Sequence, residues 1–174
     1  MRSASTPTLV LAATLSLASA WVCAAGPDPH TGAALPNAVE YAERVLPVRQ
    51  GFVSWRTLSN VKPSFEGARI VPVFSQEVLN LDKRDVHVQG FMIPVETTRR
   101  HKHFLLSAVP PSCPFCLPAG PEALIEVRTT AEVDFDHKPI ALAGKLAVRD
   151  NDPRGIFYIL TDAAPVPEQS EAKN

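Results

Sequence analysis

The clearest structural signal in the chain is the stretch Ile140–Val148, which reads IALAGKLAV. Its apolar residues fall at every second position, and a period of two is typical of a β-strand with one face in a core. The stretch Val86–Pro94, VHVQGFMIP, begins with the same alternation and then becomes apolar on both faces. Each stretch carries a glycine near its middle, Gly144 and Gly90, where a strand can bulge or coil sharply.

Three further stretches have the length and composition of short strands: His103–Ala108, Leu124–Arg128 and Ile156–Leu160. Five short strands, two of them with a central glycine, favour a small closed or nearly closed barrel, and the OB fold is the best-known five-stranded solution. The sequence therefore predicts an all-β domain, a five-stranded OB-like barrel over residues 51–164, with short helical segments before it.

The residues around the start of this domain predict short helices and two apolar anchors. Asn37 is placed to cap a helix over residues 38–46, where apolar residues recur at helical spacing. Trp55 and Leu58, three residues apart, are expected to anchor the segment on the barrel. Ser75 is placed to cap a single helical turn.

Both ends of the sequence are expected to lie outside the barrel. Residues 1–25 combine a positive start, the apolar run 9–20 and small residues, which is the layout of a secretory signal peptide. Residues 26–50 then form a linker with the short helix, and residues 165–174 form a disordered tail. The mature protein is expected in the periplasm without a transmembrane span. Lipidation at Cys23 is an alternative, although the bulky residues before it do not match a lipoprotein signal.

Charge and motif content exclude several classes of function. The chain has 17 Lys and Arg against 18 Asp and Glu, a net charge of -1. Because nucleic acids bind to concentrated basic surfaces, nucleic acid is not an expected partner. The sequence contains no Gly-x-Ser-x-Gly, phosphate loop, dinucleotide fingerprint or His-Glu-x-x-His. A binding function is therefore expected rather than an enzymatic one.

Residues whose side chains can bind a metal are concentrated between His101 and Pro121. Cys113 and Cys116 are separated by two residues, a spacing that lets both sulfurs turn toward one point, as in half of a tetrahedral zinc site. If the preceding strand is extended, His101 and His103 lie on one face of it. The sequence predicts a metal site from these two cysteines and two histidines, with zinc as the metal and copper as an alternative.

Two other functions of the cysteine pair stay open. Cys-Pro-aromatic-Cys is the active-site tetrapeptide of glutaredoxin-like enzymes, in which Cys113 would be the nucleophile and Cys116 the resolving thiol. Those enzymes place the pair at a helix start, whereas here the proline-rich run LPAGP follows Cys116. In the third interpretation the pair is a disulfide that shapes the docking loop of a non-enzymatic interaction module. Two further ligands beside the sulfurs would distinguish a metal site from a redox-active pair and from a structural disulfide.

Several short motifs occur together along the chain. They are WRTL at 55–58, FSQEV at 74–78, VHVQGFMIPV at 86–95, HFLLS at 103–107, SCPFC at 112–116, Gly120-Pro121 and GKL at 144–146. In this combination the chain resembles the bacterial secreted family known as domain of unknown function 3299, over about Trp55 to Asp162. The resemblance implies a periplasmic protein or lipoprotein, encoded near ABC-type permeases and zinc-uptake components, without a settled catalytic activity. It places the family's motif residues at Cys113, Cys116 and His103.

Together these features predict a periplasmic zinc-binding accessory protein. It would serve envelope metal handling or an ABC-type transport system, with an envelope transport protein as its partner.

Overall fold

The strands predicted from the alternating pattern form a closed barrel. The structure is a computed structural model, and it describes residues 37–67, 69–111 and 120–167. The predicted signal peptide, the first part of the predicted linker, Cys113, Cys116 and the end of the predicted tail lie outside the described residues.

Seven strands and a few short helical segments make up the described part of the chain. In order they are α1 (Ala38–Val45), α2 (Trp55–Leu58), β1 (Val61–Glu66), β2 (Arg69–Phe74), α3 (Gln76–Leu79), β3 (Asp85–Pro94), β4 (Arg100–Ser107), a 3-10 turn (Pro121–Ala123), β5 (Leu124–Asp134), β6 (Ile140–Val148) and β7 (Tyr158–Pro165). The barrel has the strand order β3-β4-β5-β7-β6, and β6 closes on β3. Its pairs are antiparallel except for β5 and β7, which run parallel. The predicted five-stranded OB-like barrel is thus confirmed.

Both predicted glycine positions lie where the pairing of a barrel strand changes. Strand β3 pairs with β6 as far as Gly90, and from Phe91 onward it pairs with β4. The register between β6 and β7 shifts on either side of Gly144. Neither glycine has a positive φ. The physical reason for glycine is therefore close packing against the neighbouring strand, rather than an unusual backbone angle.

The barrel interior is filled by side chains at alternate positions of the strands. Fully buried there are Phe104 and Leu106 of β4, Ile125 and Val127 of β5, Leu142 and Leu146 of β6, and Tyr158 and Leu160 of β7. Side chains of the opposite parity point away from this interior, because successive residues of a strand alternate between its two faces. His103 and Glu126 belong to that outward-facing set.

The short helices begin at the predicted caps. Asn37 Oδ1 accepts a hydrogen bond from the Glu40 N–H (2.9 Å), and Ser75 Oγ accepts one from the Val78 N–H (3.3 Å). The side chain of Trp55 is buried, and its Nε1–H donates to the backbone oxygen of Gln89 in β3 (2.9 Å). Trp55 therefore anchors α2 on the barrel as predicted.

The sequence did not predict the two-stranded sheet of β1 and β2. Pro63 and Pro72 lie opposite each other in its register, and proline within a short run argues against a strand because it cannot donate to the ladder. In a two-stranded sheet each strand has one free edge, so a proline there need not interrupt the pairing. The hairpin connects α2 to α3, and its two strands are not part of the barrel.

The buried hydroxyl of Tyr158 gives a first testable prediction. It donates to the backbone oxygen of Leu58 at the end of α2 (2.5 Å), and Tyr158 is inaccessible to solvent. Tyr158→Phe leaves that oxygen without this partner, so we expect a loss of about 1–3 kcal/mol in the free energy of unfolding. Urea unfolding measures it, with Tyr41→Phe as the matched control, since Tyr41 is only half buried. Equal unfolding midpoints for the two variants would contradict a stabilising hydrogen bond.

Candidate functional site

The cysteine pair belongs to the connection between β4 and β5, and the structure describes both ends of that connection. Ser107 pairs with Leu124 at the end of the two strands. One step further, the Ala108 N–H donates to the backbone oxygen of Ala123 (3.1 Å). The connection therefore leaves and re-enters the barrel at one point. Cys113 and Cys116 themselves lie outside the described residues.

His103 extends from the outer face of β4, four residues before the end of that strand. Its Nε2 lies 2.9 Å from Oε1 of Glu126 on the neighbouring strand β5. The imidazole remains 39% exposed, whereas the carboxylate that it contacts is only 1% exposed. The structure thus places one of the predicted metal ligands at the surface, with a buried carboxylate behind it.

Glu126 is surrounded by donors. Arg128, two residues further along β5, donates from Nη2 to Oε1 (3.0 Å). Arg154, in the loop between β6 and β7, forms an ion pair from Nη2 to Oε2 (2.8 Å), without the alignment of a hydrogen bond. Both carboxylate oxygens of Glu126 therefore lie against nitrogen atoms of neighbouring side chains. We call His103, Glu126, Arg128 and Arg154 the Glu126 cluster.

The electrostatic state of Glu126 follows from two opposing effects. Burial raises the pKa of its carboxyl group, because desolvation disfavours the charged form. Interactions with Arg154, Arg128 and His103 together outweigh the burial, so the pKa of Glu126 lies below its ordinary value of 4.5. Glu126 is therefore ionised at neutral pH and can only accept hydrogen bonds.

Arg154 is itself held in place by its own loop. Asp152 Oδ1 accepts from the backbone N–H (2.9 Å) and the Nε–H (3.2 Å) of Arg154, and Asp152 Oδ2 lies 3.1 Å from Arg154 Nη2. The hydrogen bonds from Arg154 hold the pKa of Asp152 below its ordinary value. The loop between β6 and β7 is thus tied to β5 at the position of Glu126.

His101 has different surroundings from His103. It is 1% exposed, its Nδ1 lies 3.4 Å from Thr98 Oγ1, and its ring meets the edge of Phe135 with the centroids 6.5 Å apart. Its Nε2 is buried and has no hydrogen-bond partner within the described residues. The pairing of β4 with β5 shifts register between the two histidines. The two imidazoles therefore have separate partners, although they are only two residues apart in the sequence.

Of the four residues that the sequence predicts as metal ligands, the structure describes only His101 and His103. Within residues 37–67, 69–111 and 120–167, no group of three or more His, Cys, Asp or Glu side chains is arranged to hold a metal ion. Cys113 and Cys116 do not belong to this part of the chain. In the same part of the chain, no helix has the length and apolarity needed to cross a membrane.

The Glu126 cluster was not predicted from the sequence. One signal was present: Glu126 stands between Ile125 and Val127 in the strand stretch 124–128, and this alternation is typical of an acidic side chain on the outer face. Nothing in the sequence indicates that this outer position is buried. Arg154 comes from a turn 28 positions away in the numbering, and only the fold brings it to Glu126.

The pKa of Glu126 leads to a second prediction. A carboxyl group whose pKa is lowered by folding stabilises the folded state above its unfolded pKa, and this stabilisation is lost as pH falls through the folded pKa. At pH 7, Glu126→Gln is therefore expected to lower the free energy of unfolding by about 2 kcal/mol, because charged hydrogen bonds are lost. The difference from wild type is expected to narrow as the pH falls below the ordinary carboxyl value of 4.5, as Glu126 becomes protonated in the wild type.

Urea unfolding of both proteins from pH 7 to below that value tests this prediction. Glu132→Gln is the matched control, because Glu132 lies on the same strand and its side chain is 54% exposed. A difference for Glu126→Gln that stays constant down to the lowest pH would contradict a stabilising ionised carboxylate.

Comparison with known proteins gives one structural match. No protein-family model matches the chain, and no curated protein matches it. A crystal structure of a DUF3299 family protein from Pseudomonas aeruginosa PAO1 is similar over 55% of this chain and 68% of that chain. The identity is 18% and the TM-score 0.43. That protein carries the family name that the sequence motifs indicate.

Proposed function

We propose that the protein is a periplasmic metal-binding accessory protein, with zinc as the metal, which serves envelope metal handling or an ABC-type transport system. The proposed ligands are Cys113, Cys116 and His103, with His101 or a water molecule completing the set. Two thiolates and an imidazole are a donor set that Zn(II) prefers, and Cu(I) is the alternative metal.

One observation carries this proposal: the pairing of His103 with Glu126. Metal-binding histidines commonly donate the N–H that faces away from the metal to a carboxylate, which orients the ring. His103 has such a carboxylate at Nε2, and its Nδ1 has no hydrogen-bond partner among the described residues. The ring is also partly exposed, so an ion can reach it.

The sequence adds the sulfur ligands to this histidine. Cys113 and Cys116 belong to the segment that continues from the strand of His103. The run of prolines around them lowers the entropy lost when the segment is ordered, because proline restricts the unfolded chain. His101 remains the proposed fourth ligand because its buried Nε2 lacks a hydrogen-bond partner within the described residues, and buried polar atoms are normally satisfied.

Native mass spectrometry of the mature protein, with and without reductant, tests the proposal. The reduced protein is expected to carry one zinc ion per chain. Oxidation to a Cys113–Cys116 disulfide, seen as the loss of two hydrogens, is expected to abolish zinc binding because the thiolates are the ligands. If the reduced protein takes up no zinc, the metal function is wrong. Ready exchange of the disulfide with glutathione would then favour the redox function, and an inert disulfide would favour the docking loop.

A further inference from the structure

We propose that Glu126 is a positioning residue, which holds His103 in the tautomer that carries its proton on Nε2 and so presents the Nδ1 lone pair to a metal. This inference deepens the proposed zinc function and rests on it. Glu126 itself would not contact the metal; it would act through the His103 ring.

The position of the proton follows from the partners of Oε1. A neutral imidazole has one N–H and one acceptor nitrogen, and a carboxylate that lies against two guanidinium groups, which can only donate, acts as an acceptor. Nε2 of His103 and Nη2 of Arg128 both lie within hydrogen-bond distance of Oε1, at 2.9 and 3.0 Å. Both nitrogens must therefore donate. Once Nε2 carries the proton, Nδ1 is left with the free lone pair.

The same contacts keep Glu126 away from direct metal ligation. Oε1 accepts from His103 and Arg128, and Oε2 faces the guanidinium of Arg154. Two arginines beside one carboxylate oppose the approach of a further cation to it, because like charges repel in a poorly solvated site. Glu126 is 1% exposed, whereas His103 is 39% exposed. The ring is the part of the pair that an ion can reach.

The cluster also orders the ring before any metal arrives. Glu126 is held by Arg128 from its own strand and by Arg154 from a loop that Asp152 ties down. A ligand whose rotamer and tautomer are already selected loses less entropy on binding. A purely structural ion pair would need the two arginines but would place no constraint on the histidine tautomer, and this difference is measurable.

The test reads the tautomer directly in the reduced, metal-free protein. Nitrogen NMR of histidine-labelled protein at about pH 8.5, where model imidazoles are neutral, is expected to show His103 with its proton on Nε2. In Glu126→Gln the amide group can donate to Nε2, so a substantial population with the proton on Nδ1 is expected. Glu132→Gln, an exposed position of the same strand, is the matched control and should leave the tautomer unchanged.

Zinc competition on the same proteins completes the test. Glu126→Gln is expected to weaken zinc binding by about 10-fold, the lower end of the effect of removing such a hydrogen-bond partner, and Glu132→Gln to leave it unchanged. A wild-type His103 with its proton on Nδ1 overturns the inference without need of any variant. So does a Glu126→Gln protein that binds zinc as tightly as wild type. If wild-type His103 has the expected tautomer but the protein binds no zinc, the metal function fails, while the role of Glu126 as the residue that sets the tautomer stands.

Discussion

Replacing Gly90 or Gly144 by alanine is expected to destabilise the barrel severely, and replacement by valine more so. A Cβ atom at Gly90 would lie 2.6 Å from the backbone oxygen of Ser107 and 3.0 Å from side-chain atoms of Leu106 and Trp55. At Gly144 it would lie 2.8 Å from the backbone oxygen of Thr161. Real Cβ atoms do not come this close to a backbone atom, so adjacent strands must move apart.

The expected loss is about 2 kcal/mol for each alanine variant and about 3 kcal/mol or more for valine, in the upper range of overpacking effects. For a domain of this size the valine variants should melt about 10 °C below wild type. Thermal unfolding followed by circular dichroism measures both series. Lys145→Ala, an exposed neighbour of Gly144 in β6, is the control and should melt close to wild type. Unchanged melting temperatures for both alanine variants would show that the strands do not approach as closely as described.

Substitution of Cys116 by serine is expected to remove most of the zinc affinity of the reduced protein. A serine hydroxyl is a far weaker ligand for Zn(II) than a thiolate, so we expect a loss of at least about 100-fold. His103→Ala removes one nitrogen ligand and is expected to have a smaller effect than the cysteine change. Affinity should also fall from about pH 7.5 to about pH 5.5, because protons compete with the metal for sulfur and imidazole.

Competition against a chromophoric chelator measures these affinities on reduced protein. His137→Ala is the matched histidine control: His137 is exposed and its ring packs on Phe135, so no change is expected. Equal affinity of wild type and Cys116→Ser would exclude the cysteine pair as the zinc site. The thiol–disulfide and docking-loop functions would then be separated by the rate of disulfide exchange with glutathione.

Local chemistry was enough to predict the elements of the barrel. The alternation in β6 depends only on the period of two that a half-buried strand imposes, and the sequence shows it directly. The caps Asn37 and Ser75 act on amides three residues further along the chain, so they too are local. The two glycines marked positions where strands approach closely, because a residue without a side chain leaves room for the neighbouring backbone. The hairpin of β1 and β2 was not predicted, since its prolines gave a local signal against a strand.

The surroundings of the candidate site depend on contacts between distant parts of the chain. The Cys-x-x-Cys spacing and the two histidines were visible in the sequence, because their identities and separations define a possible ligand set. Their partners were not visible. Glu126 is buried because a neighbouring strand and the loop of Arg154 come together around it, and His101 and His103 differ because the register of β4 against β5 shifts between them.

The sequence by itself therefore determined the barrel class, the helix caps, the glycine positions and the candidate ligands, all of which follow from local periodicity and residue chemistry. Only the tertiary structure decided which side chains each histidine contacts. It also decided that an outward-facing glutamate is buried and charged. The physical reason is that burial, and the hydrogen bonds that compensate for it, are set by segments that meet only when the barrel closes.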